Sequence, residues 1–509
     1  MSHLLSFITF LPLLGAAVCF LAPKETAKGI ALFFSGLTFL ASVPLWWMYD
    51  PSPKAHGLAG WPSMQLVEGP YPWIEDLGIT YTVGADGIVV LLILLTTLLT
   101  PVVILSSFGA IKDRVPQYLG FLLMLETGML GAFVALDTFL FYVFWELMLI
   151  PMYFLIGVWG GENRIYATVK FFIYTMAGSL LMLVAILGLY KYHHDQFGVW
   201  SSALSDLYRV ELPWGAQVWM FAAFALAFAI KVPMFPFHTW LPDAHVQAPT
   251  GGSVILAGVL LKLGTFGFLR YALPLFPEAA VTYGPWVAGL AAVGVVYGAL
   301  VAMVQDDIKK LVAYSSVSHM GVIMLGLFAM NREGVSGAVY QMLNHGLSTG
   351  ALFLLVGVLY ERRHTKLIAE YGGLAAVVPH FAFVFMVVTF SSIGLPGLNG
   401  FIGELLCLMG GYERHPWPTA AATTGVIFGA VYMLWAYQRM VFGPLTIQEN
   451  KKMADLSGRE WAYLAPLLVL IVVMGLYPKP FLHMMETSVD HVIQSVGADD
   501  VALGHGAGE

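Results

Sequence analysis

The chain reads FAAFALAFAIK from Phe221 to Lys231 and continues directly as VPMFPFHTWLPDAH to His245. A lysine therefore ends an apolar run, and prolines follow the lysine at once. A charge in hydrocarbon costs roughly 2.5 to 3.5 kcal/mol on insertion scales, and prolines at membrane depth free backbone carbonyls that only protein or trapped water can satisfy. This stretch predicts a transmembrane helix that breaks beside an ion site.

The composition places the whole chain in a membrane. Of its 509 residues, 59% are hydrophobic and 11% are charged, whereas about 25% of the residues in a soluble domain are charged. Apolar spans of about 20 residues, the length that crosses a hydrocarbon core about 30 Å thick, recur along the sequence. We predict an all-α integral membrane protein of about 14 transmembrane helices, near residues 4–22, 28–48, 87–108, 117–136, 138–159, 168–190, 215–235, 251–275, 281–303, 310–330, 335–360, 380–411, 418–442 and 460–481.

The basic residues predict how the spans are oriented. Fifteen of the 24 lysines and arginines are counted with the loops that follow odd-numbered spans, seven are counted on the opposite side, and the two left over, Lys231 and Lys262, lie in the membrane. Because positively charged loops stay in the cytoplasm, both termini are predicted to lie outside. The first span lacks a basic leader and a cleavage site of small residues, so we expect a retained helix rather than a signal peptide.

Cysteine usage and charge exclude several classes of function. The two cysteines, Cys19 and Cys407, both lie in apolar spans. They provide no disulfide framework, zinc knuckle or iron-sulfur spacing, so any redox centre is expected in a partner. The net charge of -7 is spread over loops, without the basic patch that nucleic-acid binding needs.

The chain matches itself weakly at an offset of 170 residues. This offset sets the span 169–190 against 339–360 and brings Lys231 to within three residues of Glu404. Glu404 ends a second interrupted stretch, GLPGLNGFIGE from Gly394. Since an odd number of spans separates corresponding elements, the two copies are predicted to cross the membrane in opposite directions. Two glycine-rich kinks that coincide by chance are the simpler alternative.

This offset divides the chain into four predicted parts. Residues 1–110 hold helices 1 to 3, and residues 111–280 form a first five-helix repeat of helices 4 to 8. Residues 281–445 form a second, inverted five-helix repeat of helices 9 to 13, and residues 446–509 hold the last helix and a short tail. Each repeat contains one broken helix, an arrangement in which transporters build ion sites near the membrane midplane.

An acidic residue provides a partner for the lysine at the first break. Glu146 lies in the span 138–159 with at least seven apolar or aromatic residues on each side. A carboxyl in that position is protonated or paired, and a cation that approaches and withdraws can switch its protonation. We expect Lys231 to be this cation. The alternative is a static ion pair that only holds two helices together.

A second series of titratable residues lies further along the chain. Lys262 is too deep in its span to reach the interface, and burial favours loss of its proton, so it is a candidate relay. His319 and His345 follow, and histidine titrates nearest neutral pH, although a buried histidine can be merely hydrogen-bonded. The series ends at Glu404. Polar residues at helical spacing around the histidines are expected to line a hydrated track, namely Ser315, Ser318, Gln341, Asn344 and Ser348.

Two further sets of polar residues are harder to assign. Glu126 lies deep in its span without a partner nearby in the sequence, and we include it as a further candidate. His238, Asp243 and His245 follow the first break, but their spacing matches no metal motif such as H-E-x-x-H. We expect these three to line the mouth of a proton path or to cap the interrupted helix, and we predict no metal site.

Over nearly its whole length, the chain resembles the antiporter-like, proton-translocating subunits of respiratory complex I. Four stretches carry the resemblance: FWELMLIPMYFLI from Phe144, KVPMFPFHTWLPDAHVQAPT from Lys231, DIKKLVAYSSVSHMG from Asp307 and GLPGLNGFIGE from Gly394. The residue at which the family's proton path ends is lysine in several relatives, including Mrp-type antiporter subunits, and glutamate in the chain M branch. Here it is Glu404, which favours that branch, the bacterial counterpart of mitochondrial chain 4.

The resemblance implies a mechanism in which this chain has no redox group. NADH, FMN, iron-sulfur clusters and quinone are expected in partner subunits, and neighbouring antiporter-like chains are expected beside this one in a bacterial inner membrane, with both termini periplasmic. The residues implied to carry protons or switch their movement are Glu146, Lys231, Lys262, His319, His345 and Glu404, with Glu126 the least firmly matched. One alternative is a subunit of an Mrp-type cation/proton antiporter, and another is a purely structural membrane scaffold.

Overall fold

The computed structural model describes residues 3–52, 57–58 and 61–497. Lys54 and the end of the predicted tail, 498–509, lie outside the described residues. Within the described ranges, 13 helices are long and apolar enough to cross a membrane. The helices of eight residues or more are α1 (Leu4–Leu21), α2 (Lys24–Met48), α3 (Gly87–Ala110), α4 (Val115–Val134), α5 (Thr138–Trp159), α6 (Arg164–Phe197), α7 (Trp214–Lys231), α8 (Trp240–Gln247), α9 (Thr250–Leu275), α10 (Pro277–Met303), α11 (Ile308–Leu327), α12 (Arg332–Arg363), α13 (Pro379–Ser392), α14 (Asn399–Arg414), α15 (Pro416–Phe442), α16 (Gly458–Leu476) and α17 (Lys479–Val496).

The predicted all-α membrane fold is confirmed, and the helix count is explained by the second break. The predicted span 380–411 is divided into α13 and α14, of 14 and 16 residues. Each is shorter than the roughly 20 residues that cross a bilayer alone. One break lies in each of the predicted repeats 111–280 and 281–445, whose exact boundaries remain a prediction.

A β-hairpin that the sequence analysis did not predict lies between α2 and α3. Strand β1 (Leu66–Ile74) pairs antiparallel with β2 (Ile79–Ala85). Its Glu68 accepts hydrogen bonds from the backbone amides of Leu5 and Ser6, at 2.6 and 3.0 Å, and so caps the start of α1. The hairpin therefore closes one end of the N-terminal helices by satisfying amides that the first helical turn leaves unpaired.

At the first break, the carbonyls that the prolines leave free are satisfied within the protein. Proline has no amide hydrogen to continue the helical ladder, so α7 ends at Lys231. The carbonyl of Ala229 accepts from the Met234 amide at 2.8 Å. The carbonyl of Ile230 accepts from the indole N–H of Trp240 in α8, at 2.9 Å. This last bond spans the break and fixes α8 relative to α7.

The second break, residues 393–398, depends on glycine and on a tie to α12. Gly394 and Gly397 have φ angles of 71° and 92°, in the left-handed region that favours glycine. The first residue of α14, Asn399, accepts at its backbone carbonyl from the side-chain amide of Asn344 in α12, at 2.7 Å. The break is thereby held against the centre of the bundle.

The centre of the bundle consists of α9 and α12, which are almost entirely buried. A Cβ atom on Gly346 of α12 would lie 3.0 Å from the carbonyl oxygen of Gly258 in α9. Small residues at such crossings let two helix backbones approach closely. The close approach lets Lys262, one turn after Gly258, meet His345, the residue before Gly346, across the interface.

Candidate functional site

Lys262 lies at the centre of the site, in an irregular part of α9. Two π-helical turns, Leu256–Leu260 and Phe268–Ala272, flank it, and such turns are frequent at functional sites. The side chain is fully buried, and its Nζ donates to the carbonyl of Ala257 and lies 2.6 Å from Nδ1 of His345. When the ammonium donates across this contact, Nδ1 of His345 is the unprotonated ring nitrogen.

Further neighbouring residues lead from His345 to the second break. The rings of His345 and His319 are 5.8 Å apart between centroids. Nδ1 of His319 lies 3.1 Å from Oε1 of Glu404, and the side-chain amide of Gln341 donates to the same oxygen at 3.3 Å. Four of the predicted site residues therefore form one series, from the centre of α9 through α12 and α11 to α14.

A small polar cavity lies between His345 and His319. It leaves about 10 Å³ for the centre of a water molecule, roughly the space that one water requires. Nε2 of His345 has no hydrogen-bond partner within the described residues, whereas Nε2 of His319 lies 3.4 Å from the hydroxyl of Ser392. The lining residues are His319, Gln341, Asn344, His345, Ser348, Thr349, Ser391, Ser392 and Gly400.

Three polar residues beside the second break were not predicted as part of the site: Ser391, Ser392 and Asn399. The hydroxyls of Ser348 and Ser391 are 2.6 Å apart, and Ser391 donates to Oδ1 of Asn399 at 2.5 Å. All three residues flank the break at Gly394, which is the signal that could have identified them. Helix ends at a break carry polar groups because their backbone needs partners.

Two residues that were expected to line the track do not join the hydrogen bonds of the site. Ser315 donates to the carbonyl of Val312, and Ser318 donates to the carbonyl of Val295 in α10, at 2.8 and 2.9 Å. Serines in helices commonly bond to a nearby carbonyl in this way. Of the residues expected to line the track, those on α12, namely Gln341, Asn344 and Ser348, join the hydrogen bonds of the site.

The predicted pair at the first break is present without direct contact. Within the described residues, Glu146 and Lys231 form no ion pair within 4.0 Å. The Lys231 ammonium lies 5.2 Å from the ring centroid of Trp145 and 6.0 Å from that of Phe171, two cation–π contacts. Glu146 is only half-buried, at the surface of the chain, and lies close enough to act on Lys231 electrostatically. The hydroxyl of Tyr142 lies near its carboxyl group.

Glu126 is isolated from the other candidates. It is fully buried in α4, and neither carboxyl oxygen accepts a hydrogen bond from the residues that the structure describes. The hydroxyl of Thr100 lies nearby but donates to the carbonyl of Thr96 at 3.0 Å. An unpaired charge in such a place is too costly to persist, so the carboxyl group carries its proton.

The three polar residues after the first break do not converge. Asp243 forms an ion pair with Lys170 at 2.7 Å. His238 lies in the break itself and is buried. His245 is fully buried rather than at a mouth, and neither of its ring nitrogens has a hydrogen-bond partner in the described chain. Among the described residues, no group of three or more His, Cys, Asp or Glu side chains is placed to hold a metal ion.

Two basic residues that were assigned to loops are buried in helices. Arg270 lies in α9, not in a loop, and pairs with Asp86 at 2.7 Å. Lys309 lies in the first turn of α11 and donates to the carbonyl of Ala248 at 2.6 Å. Hydropathy placed both at span edges, but it does not report that neighbouring elements cover those edges.

Comparisons with known proteins agree with this arrangement. The family model for "NADH:quinone oxidoreductase/Mrp antiporter, TM" matches residues 135–430, more than half of the chain. NADH-quinone oxidoreductase subunit M of Rhodobacter capsulatus is 47% identical over 98% of each chain. NADH-ubiquinone oxidoreductase chain 4 of Arabidopsis thaliana is 42% identical over 96% of this chain and 97% of its own length.

A solved structure matches equally completely. A chain of respiratory complex I from Thermus thermophilus superimposes with a TM-score of 0.86 and 34% sequence identity, covering 97% of this chain and 99% of its own. The match therefore includes both breaks and the helices that carry the titratable series.

Proposed function

Since the chain belongs to the family of NADH-quinone oxidoreductase subunit M, a proton-translocating membrane subunit of complex I, we propose that it moves protons along Lys262, His345, His319 and Glu404. The observation that carries this proposal is the contact series itself. Lys262 meets His345 at 2.6 Å, and His319 meets Glu404 at 3.1 Å. The one gap in the series is the cavity with space for a water centre.

The chemistry at each step follows from the donors and acceptors. Lys262 gives a proton to Nδ1 of His345, and the resulting imidazolium releases its other proton from Nε2, the nitrogen that has no partner among the described residues. A water in the cavity is the acceptor that reaches His319. His319 then protonates the carboxylate of Glu404, which lies at the second break.

Glu146 and Lys231 are proposed to control this series rather than to lie on it. When the Lys231 ammonium leaves its aromatic contacts and approaches Glu146, its positive charge moves relative to Lys262. Moving one proton against 100 mV requires about 2.3 kcal/mol. A charge displaced by several Å in a poorly hydrated interior changes a neighbour's proton affinity by an amount of that order. The separation found here corresponds to the open form of the pair.

The surroundings of the chain follow from the family. We propose that NADH, FMN, iron-sulfur clusters and quinone are bound by partner subunits, and that neighbouring antiporter-like chains flank this one. The half-buried Glu146 supports such a neighbour, because a carboxyl group at mid-span needs cover from lipid. The membrane is proposed to be a bacterial inner membrane, with both termini periplasmic, as the distribution of basic residues predicts.

Lys262→Met in the intact complex tests the proposed function. The side chain keeps its length and loses its proton, so we expect NADH-driven proton pumping and quinone reduction to fall together, while NADH oxidation by an artificial acceptor continues. Lys112→Met, at an exposed loop position, is the matched control. Normal pumping by assembled Lys262→Met complex would rule the relay out.

A further inference from the structure

A polar cavity of about 160 Å³ lies at the predicted cytoplasmic ends of several helices. Two lysines reach into it, and both cap the C-terminal end of α8. Lys309 donates to the carbonyl of Ala248 at 2.6 Å, and Lys366 donates to the carbonyl of Val246 at 2.9 Å. Its lining is Trp159, Gly160, Gly161, Gln247, Ala248, Pro249, Thr250, Lys309, Val356, Gly357, Tyr360 and Lys366.

His245 is buried one helical turn from the part of α8 that lines this cavity. It is one helical turn before Ala248, the residue that Lys309 contacts, and residues three apart share a helix face. Its ring stacks on Phe353, with centroids 4.6 Å apart, and neither ring nitrogen is bonded within the described part of the protein. His245 interacts electrostatically with both Lys309 and Lys262. A buried imidazole whose ring nitrogens are unbonded among the described residues, and on which both lysines act electrostatically, is a candidate to pass a proton from one lysine to the other.

The two lysines differ in a way that selects one of them. Lys309 is almost completely buried, whereas Lys366 is half-buried at the outer side of the cavity. A lysine used only as a helix cap is better placed where water covers its charge, as Lys366 is. Lys309 instead lines the cavity and also acts electrostatically on the buried His245.

We propose that Lys309 is the residue through which protons enter the relay from the cytoplasmic cavity. The proposal rests on the proposed function, because it supplies the proton that reloads Lys262. Lys309 transfers a proton from Nζ to a ring nitrogen of His245, His245 passes a proton to neutral Lys262, and the amine of Lys309 takes a new proton from the cavity. The titratable or charged groups that face Lys309 are Asp307 at the start of its own helix, Lys366 from the loop after α12 and His245 from α8.

Lys309→Arg separates uptake of protons from capping of α8. Arginine keeps the positive charge and the donor to Ala248, but it does not release its proton. We expect NADH-driven pumping in the assembled complex to fall roughly tenfold or more, the scale of a lost proton-transfer group. Lys310→Arg, at the exposed neighbouring position, is expected to pump like the wild type.

Lys309→His keeps a titratable group at the same place. We expect it to retain measurable pumping, with the optimum moved to lower cytoplasmic pH, because histidine holds its proton less tightly than lysine. Equal pumping by Lys309→Arg and the wild type would overturn the proposal. If the arginine variant does not assemble, equal pumping by Lys309→His and Lys309→Met would overturn it.

Lys262→Met distinguishes failure of the inlet from failure of the relay. Loss of pumping in Lys262→Met together with normal pumping in Lys309→Arg means that the relay stands and protons enter elsewhere. Normal pumping in both variants means that the proposed function itself is wrong.

Discussion

Replacing Gly394 by alanine is expected to lower proton pumping and quinone reduction together by displacing Glu404. A Cβ atom at residue 394 would lie 2.6 Å from Oε2 of Glu404, and ordinary contacts of a Cβ begin near 3.4 Å. The carboxyl group must therefore move by about 0.8 Å, the difference between these two distances. A movement of that size away from His319 takes the 3.1 Å contact between Nδ1 of His319 and Oε1 of Glu404 beyond hydrogen-bond range.

The energetic scale of this change follows from the lost contact. A hydrogen bond to a charged group contributes about 1.5 to 3 kcal/mol, which corresponds to a rate lower by roughly 10-fold to 100-fold. Alanine at φ of 71° adds a backbone strain of roughly 1 to 2 kcal/mol. That strain is a cost to stability and would by itself affect assembly rather than pumping.

Gly397→Ala is the matched control, since it carries the strain without the contact. Gly397 has φ of 92°, and the nearest atom to its Cβ would be on Leu476, at 3.9 Å. The assay compares proton pumping and quinone reduction in membrane vesicles at equal amounts of assembled complex. We expect Gly394→Ala to be roughly 10-fold less active than Gly397→Ala. Equal activity in the two variants would refute the argument that the break positions Glu404.

Three further substitutions test separate parts of the structure. Trp240→Phe removes the indole donor to the Ile230 carbonyl. The complex is therefore expected to lose about 1 to 3 kcal/mol of stability and to inactivate at a lower temperature. Unchanged thermal inactivation would show that this hydrogen bond does not stabilise the break. Burial, together with the nearby positive charge of Arg270, lowers the pKa of His491 in α17 to about 4. As the pH falls, the imidazole therefore takes up its proton in the unfolded chain before it does so in the folded chain. Wild-type stability is expected to fall as the pH drops from about 6.5 towards 4. His491→Gln should weaken that loss, and thermal denaturation across this pH range measures it; identical pH profiles would contradict the assignment. Glu126→Gln replaces a neutral carboxyl group by a neutral amide and is expected to preserve most pumping, whereas a loss as large as that of Lys262→Met would place Glu126 on the proton path.

The fold was largely predictable because a bilayer restricts what a sequence can do. A charged residue in the middle of a membrane span costs free energy, so its position alone marks it as a functional candidate. Three residues were selected in this way: Lys231, Lys262 and Glu404. The prolines and glycines beside Lys231 and Glu404 predicted both breaks for the same reason. Backbone groups in lipid must form hydrogen bonds within the protein. A broken helix therefore needs nearby donors and acceptors, and polar residues beside the break indicate them.

Details of the site depended on contacts between distant segments, which hydropathy does not encode. Glu146 and Lys231 were predicted as a pair that opens and closes, but the sequence did not show that the aromatic rings of Trp145 and Phe171 contact the ammonium when the pair is apart. Ser391 and Asn399 join the site only because the second break packs against α12. His245 was expected to line the mouth of a proton path or to cap the interrupted helix, and the sequence did not show that it is fully buried with its ring stacked on Phe353.

The most direct test of the account is proton pumping by Glu404→Gln compared with Glu413→Gln. Both residues lie on α14, but Glu404 is buried against His319, whereas Glu413 is exposed and bonds to Asn331. The measurement is NADH-driven acidification of inverted vesicles, with quinone reduction followed in parallel and assembly checked for each complex. The account predicts that Glu404→Gln loses both activities and that Glu413→Gln keeps both. Normal pumping by assembled Glu404→Gln complex would contradict a relay that ends at this carboxyl group.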